Sequence, residues 1–375
     1  MKKRWMAGLL GMIMAITPLA AAAPAFAETT ASEAEADEAG THTYVDAAGR
    51  EVEIPDQVER LAIVQMVLPV MCYALQGHTD NFVAIPPASH TGWEGSMLET
   101  LAPSMGDVDI EVINNDREIN MEALMNYNPD LVISFTGVED QASQLEAMGI
   151  PVVLLNSAQD LATLEDLISQ LGEVLNCQDR AEELLNWYSE KEAYVDSKKE
   201  AIDALSDEEK PRVLNFQNVN DFKIYPTGVN ASIVERTGGQ NIVLTGDAAE
   251  VSSPSMEQIM EFDPEVIFIS NFDDVTPDDF YNNVFEGQDW SSISAVKNHR
   301  VYKVPLGLYR WAPPNTVEKP LYMLWIASKL QPEIFSDLDL EQEIRDFYQT
   351  YLHYELSDEE YQKIIKADIN ANSEG

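Results

Sequence analysis

The sequence predicts an α/β protein: two lobes of parallel sheet joined by a single long linking helix, with a ligand cleft between the lobes. Three observations carry this. Short β-type runs alternate with helical stretches over residues 43–155 and again over 212–304, the rhythm of parallel sheets built through crossover helices. Between these regions, residues 161–205 read as helix, with few glycines or prolines. A block also recurs. Met121-Glu122-Ala123-Leu124 precedes Asn128-Pro129-Asp130-Leu131-Val132-Ile133, and Met256-Glu257-Gln258-Ile259 precedes Asp263-Pro264-Glu265-Val266-Ile267-Phe268. Each is a short helix, a proline turn and a buried strand, with Glu and Pro seven residues apart both times. A repeat of this kind points to two related halves facing each other across a cleft.

The elements follow in chain order. Residues 1–27 read as a secretory signal peptide: Lys2, Lys3 and Arg4, an apolar run over 5–16, then small residues ending in Ala25-Phe26-Ala27. A membrane anchor is the competing reading, but the run falls short of the ~20 residues a span needs, and Pro18 and Pro24 follow it. No cysteine stands at the cleavage site, so a soluble periplasmic protein is expected rather than a lipid-anchored one. Residues 28–42 form an acidic, disordered leader that serves solvation better than cation capture. The N-terminal lobe is assigned to 43–160, with strands at 60–64, 82–85, 131–135 and 152–155 and helices at 69–75 and 120–127; Asn128-Pro129 stops the second helix. The helical region 161–207 contains the linker. The C-terminal lobe, 208–370, has strands at 212–216, 266–269 and 301–304 and helices at 232–237, 256–261, 317–330 and 340–365. Gly238-Gly239 closes the first of these helices, and residues 371–375 are expected to fray.

Composition narrows the function. The 375 residues include 65 Asp and Glu against 23 Lys and Arg, a net charge of −42. Such a chain is repelled by nucleic acid and by anionic lipid, whose capture needs clustered cations. A hydrophobic content of 45% still supplies a core for each lobe. Two cysteines exclude a disulfide-dense scaffold and a four-sulfur zinc site. Cys72 reads as core filling, Cys177 lies in the helical region, and a bridge between them stays open. The chain has no G-x-S-x-G elbow, P-loop or G-x-G-x-x-G, and its five histidines form no His-x-x-x-His pair. Asp273-Asp274 and Asp278-Asp279 lack calcium-loop spacing and read as caps and loop charge. An exported hydrolase using paired carboxylates and a surface adhesion protein remain as competing classes.

The repeated block, the Gly238-Gly239-Gln240-Asn241 turn and the segment Asp289-Trp290-Ser291 through Val304-Pro305 stand in an order that resembles the helical-backbone class of ABC-transporter substrate-binding proteins. The resemblance covers residues 43–331. It implies Rossmann-like lobes, no enzymatic activity and no intrinsic cofactor. It also implies a transported metal chelate as ligand, a permease dimer as partner, and a protein expected to act as a monomer. In that family a surface glutamate on each lobe docks onto permease arginines. The matching residues here are Glu122 and Glu257; the plainer reading makes both ordinary solvated helix residues.

Ligands of two-lobed α/β proteins sit beyond the carboxyl ends of strands. Those positions hold Gln65 and Met66, His90 and Trp93, Phe135 and Thr136, Gln217 and Asn218, Asn271 and Phe272, and Tyr309, Arg310 and Trp311. Trp93 and Trp311 are suited to stacking on a bulky chelate and Arg310 to pairing with an anionic oxygen. Against this, Trp311 can cover the core, Trp93 can be a loop residue without a ligand, and Arg310 can be a surface cation resting on a ring. His90 is a candidate axial metal ligand and otherwise a solvated loop residue; Tyr309 is a weaker candidate for haem iron. The expected cargo is an iron chelate, a ferric siderophore of neutral hydroxamate type, with corrinoid or haem as alternatives. The scarcity of cations in this set speaks against a strongly anionic catecholate.

Overall fold

The computed structural model describes residues 40–242 and 252–373. The signal segment and nearly all of the leader lie outside the described residues. The first element is an antiparallel hairpin, β1 (Thr41–Val45) and β2 (Glu51–Pro55). It begins inside the span assigned to the leader, which therefore ends before Thr41. The buried Asp46 carboxylate explains the hairpin: it accepts from Ala48 N and Arg50 N at the turn and from Leu154 N of the neighbouring lobe.

The N-terminal lobe follows with β3 (Leu61–Ile63), α1 (Leu68–Gln76), β4 (Phe82–Ala84), α2 (Pro87–Trp93), α3 (Met97–Leu101), α4 (Met121–Met125), β5 (Leu131–Phe135), α5 (Glu139–Ala147) and β6 (Val152–Leu155). Its sheet is parallel throughout, in the order β4-β3-β5-β6. Every residue of β3, β5 and β6 is buried, as a sheet covered on both faces requires.

The helical region resolves into α6 (Leu161–Val174), α7 (Gln178–Asp196) and α8 (Lys199–Asp203). Asn176, in a left-handed conformation (φ 53°), breaks the run. The first two helices therefore pack on each other, and the 19-residue α7 is the long connector, about 28 Å at the usual helical rise.

The C-terminal lobe contains β7 (Arg212–Asn218), β8 (Lys223–Ile224), α9 (Val229–Arg236), β9 (Gln240–Asn241), α10 (Met256–Phe262), β10 (Val266–Ile269), α11 (Pro277–Tyr281), α12 (Ser294–Lys297), β11 (Val301–Lys303), α13 (Lys319–Leu330), α14 (Leu340–Tyr351) and α15 (Asp358–Ile364). Its parallel strands lie in the order β9-β7-β10-β11, with β8 antiparallel to β7. Both lobes thus place their second parallel strand outside the first, then the third and fourth. The tail to Ser373 is held rather than frayed. Ser373 is buried, Asn372 donates to Asp278 (2.9 Å), and the Asn372 carbonyl meets His299 Nδ1 (2.9 Å).

The repeated block is reproduced atom by atom. Asn128 and Asp263, each before a proline, are both left-handed (φ 42° and 47°). Arg60, just before β3, donates through Nε to the carbonyls of Tyr127 and Asn128 at the end of α4. Arg212, at the start of β7, donates through Nε to the carbonyls of Phe262 and Asp263 at the end of α10 (2.8 and 2.9 Å). In each lobe the first strand's arginine ties down the last turn of the helix that carries the conspicuous glutamate.

Candidate functional site

A cleft of about 370 Å³ lies between the lobes. The N-terminal wall is made by Gln65, Met66 and Val67 after β3, Arg117, Phe135 and Thr136 at the end of β5, and Ser157 after β6. The C-terminal wall is made by Gln217 on β7, Tyr225, Phe272 after β10, and Pro313, Pro314 and Asn315. Most of the lining comes from the carboxyl ends of the parallel strands in both lobes, where the crossovers from the first and third strands leave in opposite directions.

Among the described residues Arg117 is the one cation in this lining. Its backbone is left-handed (φ 68°) in a turn organised by Asn114, whose Oδ1 accepts from Asp116 N and Glu118 N (2.9 Å each). Gln141 of α5 braces the turn from behind, donating to Arg117 O and accepting from Ile119 N (2.9 Å each). The guanidinium donates through one NH group to Thr136 O (3.2 Å). A non-glycine residue kept at positive φ by its surroundings is a common feature of binding sites. Tyr225 contributes a buried hydroxyl with no hydrogen-bond partner. Burial and the nearby Tyr322 push that phenol up, and Arg310 pulls it back.

Of the residues selected from sequence, Gln65, Met66, Phe135, Thr136, Gln217 and Phe272 line this cleft. The others do not, for identifiable reasons. Trp311 is fully buried in the main core, not stacked at the cleft wall, and its carbonyl accepts from Lys319 Nζ (2.7 Å). Tyr309 is likewise buried, and its hydroxyl donates to Ala88 O of the opposite lobe (3.2 Å), so it is committed to an interlobe contact. Trp93 lies on α2, not in a loop; its Nε1 donates to Ala102 O (3.1 Å) and its ring covers Gly106. His90 shares that helix, with its ring 5.0 Å from Trp93 and Nδ1 3.6 Å from Glu94. Asn218 accepts from Asp221 N to close a turn. Arg310 sits behind the lining: its guanidinium stacks 4.8 Å over Phe272 and donates through Nε to Asn271 O (2.9 Å). Among the described residues no group of three metal-ligating side chains is present, and the two cysteines are free thiols whose pKa values burial raises.

Sequence reasoning missed Arg117, Ser157, Tyr225 and Asn315. None follows directly on a strand whose end had been marked as a ligand position. Only the Asn114-x-x-Arg117 turn held a local signal, an Asx-type turn in mid-loop.

Outside the cleft, Glu122 and Glu257 are exposed in the first turns of α4 and α10. Asn120 and Ser255 cap those helices through the amides of Ala123 (3.1 Å) and Gln258 (3.3 Å). One turn on, Met125 and Met260 are also exposed, by 37% and 47%. Each lobe therefore presents a carboxylate beside a bare methionine at matching positions.

A family profile described as periplasmic binding protein matches residues 69–306. This chain belongs to that family. It is an ABC-transporter substrate-binding protein, of a class that works outside the cytoplasm with a membrane permease, as the resemblance implied. A periplasmic solute-binding protein of Veillonella parvula is similar in structure: 35% identical, TM-score 0.80, covering 88% of this chain and 99% of the other. The molybdate-binding protein MolA of Haemophilus influenzae is 24% identical over 82% of this chain and 89% of its own length. An uncharacterized ABC-transporter substrate-binding lipoprotein of Bacillus subtilis is 26% identical, over 79% and 87%.

Proposed function

We propose that this binding protein captures a compact, metal-containing anion between its lobes and delivers it to a paired permease. One observation carries the reading: among the described residues the cleft is lined by one guanidinium and otherwise uncharged side chains, with no carboxylate, in a chain of net charge −42. The general field of such a protein repels anions, so a lining of this composition is a local reversal of its charge. A volume of about 370 Å³ is at the lower end for ligand sites, which suits an oxyanion better than a macrocycle. MolA, similar over most of the chain, is named for molybdate. The lining also leaves the paired-carboxylate hydrolase without its residues. A ferric siderophore is the second reading, supported by the aromatic side chains of Phe135, Phe272 and Tyr225 around the cleft.

Delivery rests on the matched Glu122–Met125 and Glu257–Met260 pairs, whose separation reports lobe closure to a two-fold basic partner. Native mass spectrometry with molybdate, a ferric hydroxamate, a ferric catecholate, haem and cobalamin tests the ligand. A one-to-one molybdate adduct is expected. An adduct with the neutral ferric hydroxamate alone would replace the first reading by the second.

A further inference from the structure

The segment 306–316, whose Pro313, Pro314 and Asn315 line the cleft, is a strap that belongs to neither lobe alone. Its near end meets the N-terminal lobe twice: Gly307 O accepts from Met97 N (2.8 Å), and the Tyr309 hydroxyl donates to Ala88 O (3.2 Å). Its far end meets that lobe again through Asn315, which accepts from Ala158 N (2.8 Å) and donates to Ser157 Oγ (3.1 Å). The connector α7 holds the strap too, with the Tyr188 hydroxyl donating to Thr316 O and Val317 O (3.1 and 2.9 Å).

Two adjacent, fully buried charged residues fix the strap on the C-terminal side. Glu318 turns to the near end: its carboxyl accepts from Tyr309 N (3.2 Å) and from the Tyr348 hydroxyl (2.9 Å). The Trp311 indole faces the same group without a full hydrogen bond. Lys319 turns to the middle of the strap, donating to Trp311 O (2.7 Å) and to Asn230 Oδ1 (3.2 Å), with Ala312 O at 3.4 Å. Two glycines permit the fit. A Cβ on Gly307 would stand 2.1 Å from the Glu318 carboxyl, and one on Gly92 would stand 1.9 Å from the Tyr309 ring.

We infer that Glu318 and Lys319 are positioning residues for ligand capture: they clamp the near end and the middle of the strap and so set where Asn315 and the Arg310–Phe272 stack stand relative to the cleft. Neither touches the cleft. Burying two ionisable groups so completely is costly, and a hydrophobic pair would fill the same volume without that cost. The hydrogen bonds to the strap are what the two polar groups add. The inference concerns how the cleft is shaped, and it rests on the proposed site only for its ligand arm.

Hydrogen-exchange mass spectrometry of the intact exported chain tests the clamp, on Tyr348→Phe, Lys319→Met and Glu318→Gln beside the wild type. Molybdate titration of the same samples supplies the ligand arm. Exchange is expected to rise about tenfold over 306–316 and in its N-terminal partners around Ala88, Met97 and Ala158. The body of α13 should stay protected, the unfolding midpoint of Tyr348→Phe should hardly move, and its molybdate affinity should fall severalfold. Lys319→Arg, which keeps the donors, should restore part of what Lys319→Met loses. Unchanged exchange over 306–316, or a uniform rise across all peptides with a lowered midpoint, would overturn the inference. If the wild type fails to bind molybdate, the oxyanion reading falls, while the exchange data still decide the clamp.

Discussion

The two lobes share a frame and differ at the cleft. Strand order, left-handed residue before proline, arginine tie and exposed Glu–Met pair are common to both. The cleft loops are not: the N-terminal lobe offers Arg117 from a short turn, and the strap, which follows the C-terminal strands, is tied to both lobes. Conserving a frame within one chain while its loops diverge separates two tasks. On the proposed reading the repeated part would face a partner that is itself two-fold, and the unrepeated part a ligand that has no reason to be symmetric.

The comparison breaks most visibly at the docking surface. Changing Glu122 and Glu257 together to Ala is expected to abolish uptake in a reconstituted transport assay and leave ligand affinity intact. The two single changes should cost about the same as each other. A large loss of affinity in the double variant would show that the helices serve the cleft instead.

Next in size is Trp311→Ala, which removes a fully buried indole from the core and should cost ~3–5 kcal/mol of stability in denaturant unfolding. A loss of affinity at unchanged stability would return Trp311 to the ligand.

Glu318 gives a pH-dependent term. Burial pushes its carboxyl up to about 7, against the opposing pull of its donors. A carboxyl raised in the folded state favours folding most below the unfolded value of ~4.3, and that contribution is lost as pH rises through about 7. At ~1.4 kcal/mol per pKa unit the full effect is at most ~3–4 kcal/mol. The fall in unfolding free energy between pH 5 and pH 8 should be shallower in Glu318→Gln than in the wild type. Parallel profiles would remove Glu318 as the source.

The smallest effect sharpens the frame. Arg60→Ala and Arg212→Ala each remove a tie between a strand and the helix that carries the exposed glutamate. Both should destabilise by ~1 kcal/mol, and by similar amounts if the frame is a true repeat. Urea unfolding of the two variants measures it.

How far the sequence could be read follows the same division. The strands at 131–135 and 152–155 were legible because a doubly covered parallel strand is an unbroken apolar run between turn residues. The β1–β2 hairpin was not, because its strands are short, largely exposed and polar, and its stability comes from Asp46 reaching Leu154 N far along the chain. Within the site, Gln65 and Gln217 follow or end recognisable first strands and could be found. Arg117 stands in mid-loop, where only the folded turn aims it. Trp311 misled because a tryptophan beside Tyr309 and Arg310 is suited to stacking on a ligand, whereas it takes the competing place and covers the core, fully buried. Local pattern locates elements; it does not say which side of a strap a ring will take.

The measurement that bears most directly on the central claim is calorimetric titration of molybdate into the wild type and Arg117→Ala. Charge-assisted hydrogen bonds of this kind contribute ~1.5–3 kcal/mol. The account therefore predicts one-to-one binding by the wild type and an affinity lower by about ten- to a hundredfold in the variant, at unchanged fold stability. Equal affinity in the two proteins, or binding of a neutral chelate in preference to any anion, would contradict it.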